Sequence, residues 1–476
     1  MALSSDELTV HLRYPLGLEH TPAGAYTGAA GGAACGDLVR ISLALDDSGA
    51  TIADAGFAAG GCASIRAAGS AVVALVRGRD LLDAARVGEH EISQELGGLS
   101  PAGAHAAELA ADALHRALGG ALRGAGELPA APGRAVVAMS GGVDSATAAL
   151  LVSRDGESVG VTLELWADPE NDGEASCCSA QSVRAARASA HALGLPHFSI
   201  DLREEFRAGV VEPWLEGHAA GLTPNPCVSC NGRVRLDAML SLADRLGAQS
   251  LATGHYARLA PGPVLRRAAD AAKDQSYVLS ALSRDSLARL RFPLGEMSKP
   301  QVRALAEREG ISVARRPDSQ DLCFLAGTGS ERFLARHGGL GERPGPVIGV
   351  AGEALGSHPG AHRFTVGQRR GIGVTSAEPL YVIATDAAQN TVTVGPREAL
   401  LTDRLELSAL DLRLAAEEVD AVQIRAHGRP RAARIARAAG LEATVLLDEP
   451  LERTAPGQVA CLYAGDLVAG HGVICA

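Results

Sequence analysis

Aromatic residues are scarce in this chain: Phe, Tyr and Trp make up 3% of its 476 residues, and methionine occurs four times. Its cores must be filled by small side chains. With 47% hydrophobic content, 21% charged content and 56 glycines, the composition marks economical globular packing rather than disorder. Long apolar runs are missing too, and none approaches the ~18 residues a membrane-spanning helix requires. No membrane partner is expected. The opening MALSSDELTVHLRYP carries an acidic pair where a secretory leader carries basic residues, and no apolar stretch follows, so a cytoplasmic location is expected. Basic residues are outnumbered 44 to 55, for a net charge of −11. That balance excludes a nonspecific nucleic-acid coat but leaves room for a local basic face.

The length gives a prior of about three domains. The nine cysteines are Cys35, Cys62, Cys177, Cys178, Cys227, Cys230, Cys323, Cys461 and Cys475, and in a reducing compartment they are thiols or metal ligands. The stretch GGALRGAGELPAAPGR is rich in Gly, Ala and Pro and reads as a linker, placed at 119–133, after an N-terminal module of residues 1–118. Within that module, DLVRISLALD and TIADAGFAA read as paired strands, and SIRAAGSAVVALVRG and AHAAELAADALHRALGG as helices, an α+β pattern. Beyond the linker, RAVVAMS, SVGVTLELW and HFSIDL read as strands alternating with helices, which predicts an α/β domain with a parallel sheet over 134–325. A small central domain follows at 326–375. From 376 to 476, short alternating runs such as PLYVIATD, NTVTVGP and EATVLLDEP predict a β-barrel.

The segment AMSGGVDSAT sits at a strand end and opens a helix. Gly141 and Gly142 let the backbone approach a ligand closely, and the free N–H groups of the helix start favour a pyrophosphate. Ser140 and Ser145 can add hydroxyl donors, and Asp144 can orient a Mg2+-bound phosphate. No Gly-Lys-Ser/Thr follows, so this is not a Walker loop. It resembles the Ser-Gly-Gly-x-Asp-Ser loop of the ATP pyrophosphatases (PP-loop enzymes), which adenylate an oxygen and release pyrophosphate. The downstream segments TPNPCVSCN, LATGHYAR, KDQSYVLSAL, FPLGEMSKPQVRALA, PDSQDLCFL, HRFTVGQRRGIGV, PLYV and APGQVACLYAGD together resemble the tRNA-uridine 2-thiolases, the MnmA/TrmU family, over residues 134–476.

The resemblance implies an ATP- and Mg2+-dependent tRNA sulfurtransferase: uridine 34 is adenylated at its C2 oxygen, and sulfur then displaces AMP. ATP would be held by Ala138, Met139, Ser140, Gly141, Gly142, Val143, Asp144 and Ser145. Leu163 and Gly254 would bound the adenine, although Leu163 reads equally as an ordinary core residue. Lys273, Asp274 and Gln275 match the family's tRNA-contacting segment. Arg425 opens an arginine-rich run that suits an RNA backbone, or else is a solvated strand face. Ala426 stands where the family has an aromatic.

Cys230 and Cys323 match the family's two sulfur-handling cysteines, while Cys227 stands where the familiar branch has an aspartate. Three thiols can hold three corners of a 4Fe-4S cluster and leave one iron open. The same thiols can instead carry a persulfide, or hold zinc if a fourth ligand is supplied. The sulfur donor would be a cysteine desulfurase or sulfide. Cys177 and Cys178 open a helix and read as structural. In the N-terminal module, GAAGGAACGDLVRISLAL and FAAGGCASIRAAGSAVVALVRG resemble the IscU/NifU iron-sulfur scaffolds, and Cys35, Asp37 and Cys62 match their ligand motifs. His105 is retained, but Ala106 replaces the third cysteine, so the module is either a metal site or a degenerate docking module. Two other readings stay open: another adenylating ligase of the same loop type, and a non-enzymatic iron-sulfur carrier.

Overall fold

The computed structural model describes residues 6–32, 36–101, 103–168, 179–318, 322–325 and 327–475, so Cys35, Cys177 and Cys178 lie outside the described residues. The N-terminal module starts with helix α1 (Asp6–Arg13), followed by strands β1 (Tyr26–Gly31), β2 (Leu38–Leu45) and β3 (Ile52–Gly60). These strands form an antiparallel sheet in chain order. Helices α2 (Ala63–Val76), α3 (Leu81–Ala84), α4 (Glu89–Glu95) and α5 (Ala104–Gly124) cover it. Small residues set the spacing. A Cβ at Gly28 would stand 2.2 Å from the Ala113 carbonyl oxygen, so β1 lies directly against α5.

The α5 helix corrects one expectation: the interval 119–133 is helical as far as Gly124. Gly119 and Gly124 serve close packing rather than chain flexibility. A Cβ at Gly119 would stand 2.0 Å from the Ser199 carbonyl oxygen, and one at Gly124 would stand 2.4 Å from the Tyr26 ring.

The second domain alternates β4 (Ala135–Ala138), α6 (Val143–Ser153), β5 (Ser158–Glu164), α7 (Ala180–Ala192), β6 (His197–Asp201) and, farther on, β7 (Ser250–Thr253). With the short strand Leu290–Arg291 they form the expected parallel sheet, in the order Leu290–Arg291, β7, β4, β5, β6. An open edge on β6 would present unpaired carbonyls. The α5 helix crosses that edge and meets three of them. His115 Nδ1 lies 2.9 Å from the His197 oxygen, Gly119 abuts the Ser199 oxygen, and Arg123 Nη1 donates to the Asp201 oxygen at 2.5 Å.

On one side of the sheet, α5 also runs alongside α7. The rings of His115 and His191 stand 5.5 Å apart, Asp112 pairs with Arg187 at 2.9 Å, and Glu108 pairs with Arg184 at 3.0 Å. The two helices therefore run in the same direction, with their N-termini at one end. Burial holds His115 well below the ordinary histidine range, helped by repulsion from Arg187, so its ring is neutral. One apolar core runs through both units, from Val39, Phe57 and Leu114 to Phe198, Ile200 and Leu236.

A second correction concerns the barrel. Tyr381–Asp386 and Thr391–Gly395, expected within it, pair instead with Gly345–Gly349 and Ala354–His358 in a four-stranded sheet around Val347, Val382, Val392 and Val394. Alternation of apolar and polar residues says that a segment is a strand, but not which sheet it joins. The barrel strands run from Leu401–Leu412 to Leu467–Ile474, and those two pair to close a six-stranded barrel. A hairpin of the second domain, Arg258–Ala260 with Val264–Arg266, extends the barrel sheet through Arg266 and Leu467. Tyr277 adds a hydrogen bond to the Val459 carbonyl at 2.8 Å.

Candidate active site and metal centre

The loop after β4 is shaped by two glycines. Gly141 has φ +74°, and a Cβ there would stand 2.3 Å from the Ser182 oxygen at the start of α7. Gly142 is extended and begins α6, whose first turn carries Asp144. Ser145 Oγ accepts from the Ser140 N–H at 3.1 Å and donates to the Gly142 carbonyl at 3.0 Å, which folds the loop over the helix start. Gly254 lies against that turn, since a Cβ there would stand 2.8 Å from the Ser145 nitrogen. The side chains of Ala138, Met139 and Val143 are buried, so these three residues can offer only backbone to a nucleotide. Leu163 is 4% exposed within the apolar core, which favours its core reading.

Around this loop stands a charge cluster that sequence reasoning missed. Lys299, 8% exposed, places Nζ 2.8 Å from both oxygens of Asp144 and 2.8 Å from Asp318. Asp318 also takes Lys273 at 2.8 Å and Arg303 at 2.9 Å. Burial alone would raise the Asp318 pKa, but hydrogen bonds from Lys273 and Lys299 hold it at about 2. The Tyr256 hydroxyl donates to Asp144 at 2.8 Å, and burial first, then the Asp144 charge, push that phenol far up, so it stays a donor. Arg316 donates to the Gly141 oxygen and to Ser182 Oγ, both at 2.9 Å. Lys299 and Arg316 thus contact the phosphate loop, and Asp318 ties Lys273 and Arg303 to Lys299. The segments SKPQVR, GHY and PDSQ carried these residues, but the contacts span up to 175 positions and leave no local pattern.

Lys273 therefore sits in the charge cluster. Asp274, expected to contact tRNA, has a side chain only 6% exposed that accepts from the Ala268 N–H and Ser276 Oγ and pairs with Arg267. Gln275 accepts from the Tyr256 N–H at 2.9 Å. Both residues brace the turn that presents Lys273. Arg425 lies beside Gly367 in the GQRRGIGV loop, whereas Arg431 and Arg434 of its run pair with Glu449 and Asp448 at 3.1 and 3.5 Å.

Cys227 and Cys230 stand on a helical run beginning at Pro226, where the Asn225 side chain accepts from the Cys227 and Val228 N–H groups. Three residues apart, they share a face. The run passes through a π-helical turn, Cys230–Arg235, before Leu236–Arg245 continues it. Such turns are frequent at functional sites. Both cysteines, and Cys323, are half-buried, and Cys230 and Cys323 pack against the same apolar core. Phe324 anchors Cys323, its ring 5.3 Å from Trp214, 5.2 Å from Phe333 and 6.0 Å from Phe206. In a chain this poor in aromatics, such a cluster marks a deliberately fixed segment.

In the N-terminal module, Asp37, Cys62 and His105 bring donor atoms within 4.8 Å of one another, the one such group among the described residues. Asp37 accepts from the Cys62 N–H at 2.7 Å and Sγ at 3.0 Å, and lies 2.8 Å from His105 Nε2. The Cys62 hydrogen bonds hold the Asp37 carboxyl below its usual range, and burial pushes the Cys62 thiol up. Ala106 is fully buried in the core and His105, beside it, faces the site. The carboxylate, thiol and imidazole set suits a borderline transition metal.

Four family models match the chain: "NifU-like N terminal domain" at 17–121, "tRNA methyl transferase HUP domain" at 133–327, "tRNA methyl transferase PRC-barrel domain" at 331–396 and "Aminomethyltransferase beta-barrel domain" at 408–474. A bifunctional protein NifU/MnmA of Rubrobacter xylanophilus is 43% identical over 461 residues, covering 94% of this chain and 93% of its own. The tRNA-specific 2-thiouridylase MnmA of Thermobifida fusca is 44% identical over 350 residues, 72% of this chain and 95% of its own. Among solved structures, the U34-tRNA thiolase NcsA of Methanococcus maripaludis aligns with 40% of this chain and 60% of its own at 16% identity and a TM-score of 0.28, too distant to bear on the chemistry. By its relatives and by the order of its domains, the chain belongs to the bifunctional NifU/MnmA family.

Proposed function

We propose that this protein is an ATP- and Mg2+-dependent tRNA-uridine 2-sulfurtransferase acting on uridine 34 of tRNA anticodons. The carrying observation is the phosphate loop contacted by Lys299 and Arg316, with Lys273 and Arg303 joined to Lys299 through Asp318, in a chain whose half-buried Cys230 and Cys323 pack against one core. In the first step the C2 oxygen of the uridine bonds to the α-phosphorus, and the bond to the bridging oxygen breaks. Pyrophosphate leaves with that electron pair, and the N3 proton passes to solvent. In the second, a sulfur nucleophile bonds to C2 and AMP leaves with the C2–O electron pair. The carboxylates of Asp144 and Asp318 offer the oxygen donors that suit Mg2+. Lys273 and Arg425 would neutralise an RNA backbone.

Cys227, Cys230 and Cys323 would hold a 4Fe-4S cluster, which when bound supplies an open iron for sulfide. The shared helical face of Cys227 and Cys230 supports this reading over a persulfide on Cys230 and Cys323 alone. Asp37, Cys62 and His105, with Cys35, would bind metal in the N-terminal module. Sulfur would come from a cysteine desulfurase or from sulfide.

The test is anaerobic incubation with unmodified tRNA, ATP and sulfide, scoring 2-thiouridine and pyrophosphate. Pyrophosphate release that ignores tRNA would point to another adenylating ligase. Iron analysis of Cys227→Ala separates cluster from persulfide, since unchanged iron in the thiolase region would remove the cluster.

A further inference from the structure

We propose that Lys299 is a catalytic residue of adenylation: its ammonium group occupies the cation position on Asp144 until the metal–nucleotide complex arrives, then moves to the departing pyrophosphate. This rests on reading the site as an adenylating centre. A lysine only 8% exposed must be paired, and Lys299 is paired twice. Its Nζ sits symmetrically, 2.8 Å from each oxygen of Asp144. A divalent ion held by that carboxylate draws on the same oxygens and so competes with the ammonium group for them.

The geometry provides for displacement. Lys299 opens the helix Lys299–Arg308, and its own N–H donates to Asp270 at 3.0 Å, so the backbone stays fixed while the four-carbon stem swings. Asp318, 2.8 Å away on the other flank, tethers the ammonium group after it leaves Asp144. The Tyr256 hydroxyl keeps Asp144 oriented meanwhile. Asp318 is shared with Lys273 and Arg303, so its hold on Lys299 is diluted. The displaced group remains within reach of the phosphate loop. As uridine oxygen bonds to the α-phosphorus and the bridging bond breaks, charge gathers on pyrophosphate, where a mobile cation stabilises the transition state more than the ground state.

Two variants of the full chain test this, with Mg2+-dependent ATP binding measured by calorimetry and tRNA-dependent pyrophosphate release measured in parallel. Lys299→Met frees Asp144 for the metal, so half-maximal ATP binding should need less Mg2+, while kcat for pyrophosphate release falls about 100-fold and KM for tRNA holds. Lys299→Arg should clamp Asp144 with its rigid fork and require more Mg2+ than wild type. Opposite shifts in the two variants support the proposal. An unchanged Mg2+ requirement in both, or a kcat within twofold of wild type in Lys299→Met, overturns it. If wild type binds Mg·ATP but releases no tRNA-dependent pyrophosphate, the function reading fails, and the Mg2+ shifts still decide the role of Lys299 toward the metal.

Discussion

At the scale of single residues, two sites depend on groups whose roles are set by what lies against them. Asp318 is ionised well below the ordinary carboxylate range, at about 2 against 3.8, because cations surround it. A lowered folded pKa means that its stabilisation is complete above 3.8 and is lost as pH falls toward 2. Thermal melting between pH 5 and 2 should therefore show an acid limb that Asp318→Asn flattens. Gly61 has φ +121°, and a Cβ there would stand 2.0 Å from Asp37 Oδ1. Gly61→Ala should displace that carboxylate and reduce metal bound by the N-terminal module, measured as ions per chain, with the thiolase domain unaffected. Lys299 shows why such residues escape sequence reading: its partner Asp144 is 155 positions away, whereas the phosphate loop announces itself within ten residues.

Secondary-structure elements were more legible than their assignments. The strand, loop and helix around Asp144, and the cysteines that follow Asn225 and Pro226, come from local chemistry: glycine freedom, a side-chain cap and a helix start. The segments Tyr381–Asp386 and Thr391–Gly395 alternate as strands should, yet their sheet is chosen by a parallel pairing with Gly345–Gly349 that alternation does not encode. The glycines of α5 read as a linker because composition cannot tell flexibility from close approach. Gly119→Ala forces a methyl to within 2.0 Å of the Ser199 oxygen. It should cost about 1–3 kcal/mol, seen as a lowered Tm of the whole chain, whereas Gly126→Ala, with nothing near it, should be neutral.

Across the whole molecule, the N-terminal module and the second domain are joined by one core. The core that holds Val39 and Phe57 also holds Phe198, Leu236 and Tyr277. Among the described residues no helix is long and apolar enough to cross a membrane. The parallel course of α5 and α7 puts His105 at the end of the molecule where Ser182 meets Gly141, so the metal centre and the phosphate loop share one end. Removing residues 1–124 should expose the β6 edge and its apolar flank. The remaining chain should aggregate at concentrations where the full protein stays monodisperse by light scattering.

The α5 cover on β6 also bears on synthesis. During translation α5 is complete before β6 exists, so the N-terminal module emerges with one face waiting. When β6 arrives, its carbonyls meet a ready-made surface carrying His115, Gly119 and Arg123 rather than another ribosome's nascent chain. The cover for the β6 edge thus precedes that edge along the chain, so the strand most open to wrong pairing is made after the surface that closes it.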